Sequence, residues 1–174
     1  MRILLSNKFY YRRGGDCISM LNLEQLLKEH GHKVAVFAMD YPENLDTPWK
    51  KYFPNNMSKL MAFTRPFGSQ EVKRKISRLL DDFKPDVVHV HNIHTQLSPV
   101  LVELAHQRGI RTVWTLHDYK LLCPRYDCLR NGKEICEICF GGDKTFCKTH
   151  KCMKGSVLAS WIGYKEAVMW NRER

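Results

Sequence analysis

"MRILLSNKFYYRRGGDCISMLNLEQLLKEHGHKVAVFAM" runs from Met1 to Met39 and reads as strand, glycine loop, helix and strand in that order. "RILLS" (Arg2–Ser6) is an apolar run of strand length, and the loop "NKFYYRRGGD" with its adjacent Gly14 and Gly15 follows it. A helix from about Asp16 to His30 puts Met20, Leu23, Leu26 and Leu27 on one face, and Gly31 supplies its stop. "HKVAVFAM" (His32–Met39) is the second strand. Such a unit joins two parallel strands through a right-handed crossover.

The alternation returns further along. "SQEVKRKISRLLDDF" is a helix, Pro85 breaks it, and "DVVHVHN" is a strand; "SPVLVELAHQRG" is a helix closing on Gly109, and "IRTVWTLHD" is a strand. Strands separated by helices predict an α/β fold, an open parallel Rossmann-like sheet with helices on both faces, plus a cysteine-rich insertion. The expected division is a Rossmann-like domain over 1–122, a cysteine-rich metal-binding insertion over 123–154, and a C-terminal helix over 155–174 packing on the domain.

With 174 residues, 44% of them hydrophobic, the chain can build one domain with a substantial core and a small module beside it. Lys and Arg number 28 against 18 acidic residues, a net charge of +10, which favours partners carrying phosphate, carboxylate or an anionic membrane surface. No apolar run approaches the roughly 20 residues of a membrane-spanning helix, and the first residues lack the apolar core of a secretory signal. The expected location is therefore cytoplasmic, where clustered thiols stay reduced and serve as metal ligands or redox groups more often than as structural disulfides.

In an open parallel sheet, ligands bind beyond the carboxyl ends of the strands. After the first strand lie Gly14 and Gly15, which let backbone approach an oxyanion at a helix start, with Arg12 and Arg13 adding positive charge. The plainer reading is a glycine turn with two solvated arginines. After the third strand, "VVHVHNIH" places His89 and His91 on one face, with His94 just beyond; a substrate-facing role for His91 or His94 is favoured over a three-histidine metal site. After the fourth, His117 and Asp118 stand where a side chain projects into a cleft, as a reacting group or as a histidine capped by its acidic neighbour.

The segments "MRILLSNKFYYRRGGDCISMLNLEQLLKEHGHKVAVFAM", "PDVVHVHNIH" and "TVWTLHDYKLLCP" together resemble the N-terminal, acceptor-side domain of GT-B fold, group 1 retaining glycosyltransferases. The resemblance implies two Rossmann-like domains facing across a cleft, the second of them holding a nucleotide sugar. It implies that Gly14 and Gly15 approach the donor diphosphate and that His117 touches the transferred sugar. The donor domain is missing from this sequence, so the chain alone is expected to be inactive. Acceptors would be sugars or lipid-linked glycan intermediates of cell-surface polysaccharide synthesis. The stretch Thr47–Leu80, with eight basic residues, one acid and interleaved aromatics, then suggests peripheral association with the inner face of the plasma membrane.

Six of the seven cysteines lie in "CPRYDCLRNGKEICEICFGGDKTFCKTHKC", and the Cys136–Cys139 pair has chelating spacing. That pair needs two more ligands, which the symmetric spacing offers either from the outer pair or from Cys128 and Cys147. The "CP", "CxxC" and "HxC" order of related members implies structural zinc held by Cys123, Cys136, Cys139 and Cys152, with His150 as a substitute ligand. A zinc-ribbon nucleic-acid module is the alternative. Its basic residues are scattered and no recognition element accompanies them, so no nucleic-acid partner is expected.

Overall fold

The computed structural model describes residues 1–55, 63–130 and 132–170. Part of the basic stretch (56–62) and the last four residues of the expected C-terminal segment (171–174) lie outside the described residues. The chain divides into two compact units, Met1–His117 and Asp118–Arg174.

The first unit is an α/β, Rossmann-like layer structure. Strands β1 (Arg2–Ser6), β2 (Lys33–Phe37), β3 (Val87–Val90) and β4 (Arg111–Trp114) form one sheet in the order β2-β1-β3-β4, every pair parallel. Helices α1 (Gly15–Glu29), α2 (Gln70–Phe83) and α3 (Val100–Gln107) flank it. Strand β1 has the expected bounds, while β2, β3 and β4 are shorter than their apolar runs suggest, because the chain leaves the ladder at the carboxyl edge to form loops. Gly31 and Gly109 adopt φ of 77° and 67° directly after α1 and α3, conformations that stop a helix and that a Cβ disfavours. Ser69 caps α2 by accepting from the Val72 amide at 3.3 Å.

The core alternates through the sheet. Ile3, Leu5, Val34 and Val36 pack with Met20, Leu21 and Phe53, while Leu4, fully buried, points to the opposite face. The expected face of α1 turns inward at Met20, which is buried, and at Leu23 and Leu27, which pack partly buried on the core; Leu26 is 49% exposed, and Cys17, Leu21 and Glu24 complete the buried stripe. Glu24 is the unexpected member. Its carboxylate lies on the inward face because Tyr10 Oη donates to both oxygens, at 3.1 and 3.0 Å, and Lys28 Nζ reaches it at 2.6 Å. A buried acid so satisfied is tolerated on the inward face of a helix.

The second unit contains a short antiparallel pair, β5 (Leu129–Arg130) and β6 (Glu134–Ile135), then α4 (Thr145–Thr149) and α5 (Val157–Trp170). Its buried apolar side chains among the described residues are three thiols, Cys128, Cys139 and Cys147, with Pro124 and Ala167. Among the described residues, no buried leucine, isoleucine or phenylalanine anchors it. Among the described residues, no helix is long and apolar enough to cross a membrane.

Candidate functional site

Side chains from the loops after β1, β3 and β4 meet at the carboxyl edge of the first unit's sheet. Asn7, fully buried just after β1, is the tie. Its Nδ2 donates to the Phe9 carbonyl at 3.2 Å and faces Cys17 Sγ at 3.5 Å, and its Oδ1 accepts from the Asn92 amide at 3.2 Å. One amide side chain thus links the β1 loop, the first turn of α1 and the end of β3. The sequence reading did not single out Asn7; a polar residue directly after an apolar strand was the available signal.

Gly14 is extended, with φ −153°, and precedes α1 without any side chain capping the helix start. The first-turn amides therefore have no side-chain acceptor from the cap. A Cβ on Gly15 would meet nothing within 4 Å. The glycine pair is not required by backbone angle; its effect is to leave the helix start open to approach. Asp16 occupies the first turn and takes a contact from Cys17 Sγ at 3.4 Å. Arg12 is exposed and lines a separate groove of about 350 Å³ with Tyr10, Glu24 and Lys28, while Arg13 lies over the Phe9 ring at 4.1 Å.

The histidines form a column. His89, His91 and His117 stack with ring centroids 4.6 and 5.2 Å apart and interplanar angles of 17° and 21°. His91 Nδ1 lies 2.9 Å from His117 Nε2, and His89 Nε2 lies 2.8 Å from Thr115 Oγ1. His91 is 2% exposed, its Nε2 has no hydrogen-bond partner, and burial drives its pKa down to about 4, with the neighbouring His89 and His117 pushing the same way. Burial also lowers the pKa of His89. His117, at the end of the column, is exposed. The Trp114 indole N–H donates to the His91 carbonyl at 2.9 Å and fixes the β3–β4 corner, and the His94 ring lies 5.2 Å from that of Trp114. Asp118 belongs to the second unit, where its Oδ1 accepts from the Lys120 amide at 2.9 Å.

In the second unit, Cys123, Cys136, Cys139, Cys147 and Cys152 all line one cavity of about 20 Å³, room for a single small atom and not for a sugar. Cys128 does not line it. Burial raises the pKa of Cys139 to about 11 and that of Cys147 to about 12, and the surrounding thiols push the same way. Cys147 Sγ donates to the Ser160 carbonyl at 3.7 Å. Lys144, itself buried, donates to the carbonyls of Leu122 at 2.7 Å and Cys139 at 2.6 Å, and Arg125 donates to that of Cys152 at 2.9 Å. Among the described residues, no three His, Cys, Asp or Glu side chains are arranged to hold a metal ion as they stand.

In the basic stretch, Trp49, Tyr52 and Phe53 turn inward: Trp49 packs on Tyr52 and Phe83, Phe53 packs on Tyr10, and Phe63 is 54% exposed.

Residues 14–133, well over half of the chain, match the sequence profile of Glycosyltransferase Family 4. Over 84 residues the chain is 30% identical to glycogen synthase 1 of Rhizobium meliloti (strain 1021), a match covering 48% of this chain and 16% of that enzyme. With its parallel sheet and its polar groups gathered at the carboxyl edge, the chain belongs to Glycosyltransferase Family 4, the family of N-terminal domains of GT-B glycosyltransferases.

Proposed function

We propose that this chain is the acceptor-binding N-terminal half of a nucleotide-sugar-dependent, retaining glycosyltransferase of cell-surface glycan synthesis. The observation that carries the reading is the convergence of the open α1 start, Asn7 and the histidine column on one sheet edge. There, Gly14 and Gly15 admit the donor diphosphate to the start of α1, His117 contacts the transferred sugar, and His94 lies on the acceptor side. Arg12 contributes long-range positive charge rather than a direct contact, since its groove also holds Glu24. A second, donor-binding domain must close over this edge to exclude water and align the sugar.

The test is sugar transfer by the chain alone and by a polypeptide that carries a donor domain behind it. Turnover only in the second case is expected, with a loss of roughly 100-fold or more in kcat on His117→Ala, the scale of one removed transition-state contact. Transfer by the 174-residue chain alone would overturn the division of labour. Retention is read from the anomeric configuration of the product.

In the same reading, the cysteine-rich segment is an insertion stapled by structural zinc on Cys123, Cys136, Cys139 and Cys152. These four line one atom-sized cavity together with Cys147, and a unit with so little buried hydrocarbon needs a cross-link. Lys144 and Arg125, on the carbonyls of two of the four, would offset the negative charge of a tetrathiolate site. Four thiolates leave no open position for water, so such a zinc ion would supply folding energy and no chemistry. Among the described residues, peripheral membrane contact at the cytoplasmic face is supported by the exposed Lys50, Lys51, Arg74 and Arg78, because most of the aromatics turn inward. Sedimentation with liposomes that is indifferent to anionic lipid would remove it.

A further inference from the structure

The histidine column contains more information than contact. A single proton lies between His91 Nδ1 and His117 Nε2 at 2.9 Å when both rings are neutral, so one ring donates and the other accepts. The far nitrogen of His91 decides which. Nε2 of this buried ring has no partner. Were it the protonated nitrogen, the protein would hold an orphaned N–H donor in its interior, a rarer condition than an under-satisfied acceptor. The nearest carboxylate influence, that of Asp16, is already engaged by Cys17 Sγ. The proton of His91 therefore sits on Nδ1.

We propose that His91 is a positioning residue that donates its Nδ1–H to His117 Nε2 and so fixes His117 as the tautomer whose own proton is on Nδ1. This rests on the reading of His117 as the sugar-contacting residue for its meaning, though not for its geometry. It gives His117 a definite chemical role. With Nε2 taken up as an acceptor, the exposed ring presents an N–H donor to an uncharged hydroxyl or ether oxygen of substrate, and it is not available as a general base through Nε2. Protonating His117 would set two N–H groups against each other unless His91 moved its proton to the orphaned Nε2. His91 is thus held as the neutral donor, and its depressed pKa agrees with that. His89, held by Thr115, stacks on the His91 ring, and the Trp114 indole on the His91 carbonyl pins the backbone that carries it.

The experiment uses the 15N-labelled chain and long-range 1H–15N correlation spectra of the imidazoles at mildly alkaline pH. In the wild type, His117 should show a protonated Nδ1 and a bare Nε2. His91→Phe keeps the aromatic stack and removes the donor; the His117 tautomer ratio should swing towards Nε2–H by roughly tenfold, the upper range of one net hydrogen bond. His91→Asn loses the stack but places an amide N–H where Nδ1 was, and it should hold His117 in the wild-type tautomer. A purely structural role for His91 predicts the reverse order of these two variants. A wild-type His117 protonated at Nε2, or a His91→Phe chain with an unchanged ratio, overturns the proposal; if His91→Phe does not fold, the wild-type and His91→Asn spectra decide. The spectra need no sugar transfer, so a correct tautomer together with an unaffected His117→Ala enzyme would sink the substrate contact and leave the tautomer standing.

Discussion

Lys120 Nζ and Glu166 Oε2 lie 2.9 Å apart with side chains only 6% and 3% exposed, an ion pair joining the start of the second unit to its last helix. Lys120 also donates to the Pro124 carbonyl at 2.7 Å. Removing one partner of such a pair strands a buried charge, at a cost of about 3–5 kcal/mol, whereas replacing both by apolar residues is often neutral. Lys120→Met should therefore melt the second unit, seen as lost hydrogen-exchange protection in α5, and Lys120→Met with Glu166→Leu should restore most of it. Equal protection in the single variant and the wild type would show that the pair contributes nothing.

The thiols give a second expectation. For a Cys whose folded pKa is raised from 9.0 to about 11 or 12, the folded state favours the neutral form, so its stabilisation is complete below pH 9 and is lost as pH rises through that window. Metal-free protein should lose the second unit above about pH 9 while the first unit holds. Zinc demands thiolates and should reverse the trend, raising stability with pH through the neutral range. Metal analysis of freshly reduced protein should find about one zinc per chain; less than half an equivalent sinks the site.

His91 has the opposite sign. Its folded pKa of about 4 lies below the ordinary 6.5, so its contribution is present above pH 6.5 and lost as pH falls towards 4. At about 1.4 kcal/mol per unit, the loss is up to roughly 3 kcal/mol. Urea titrations of the wild type between these limits should show it, and His91→Phe should flatten the curve. An equally steep curve in the variant would assign the acid sensitivity elsewhere.

Gly15 separates folding from function. A Cβ there meets no atom, so Gly15→Ala should leave the melting temperature unchanged or raise stability by less than about 1 kcal/mol. In an enzyme carrying the donor domain, the same methyl should weaken nucleotide-sugar use, read as a higher KM. An Ala variant with unaltered KM would mean that nothing approaches the helix start.

The sheet was legible because its evidence is local: apolar runs of strand length, helices between them, Gly31 and Gly109 at the stops. The burial of Glu24 was not, since it reads as an ordinary surface residue until Tyr10, fourteen positions earlier, supplies its hydroxyl. The histidine column was half legible. Strand alternation puts His89 and His91 on one face, but the meeting of His91 with His117, 26 residues on, depends on the register between β3 and β4, which no spacing rule reveals. In the second unit the pattern of apolar residues has little to report, because so few of them are buried there.

The histidines hang from rungs that their side chains do not make. The His91 amide donates to the Ser6 carbonyl at 2.8 Å and the Thr115 amide to that of Val90 at 2.9 Å, main-chain bonds that any residue but proline can supply. Side chains at this edge can therefore be exchanged while the scaffold beneath keeps its folding instructions.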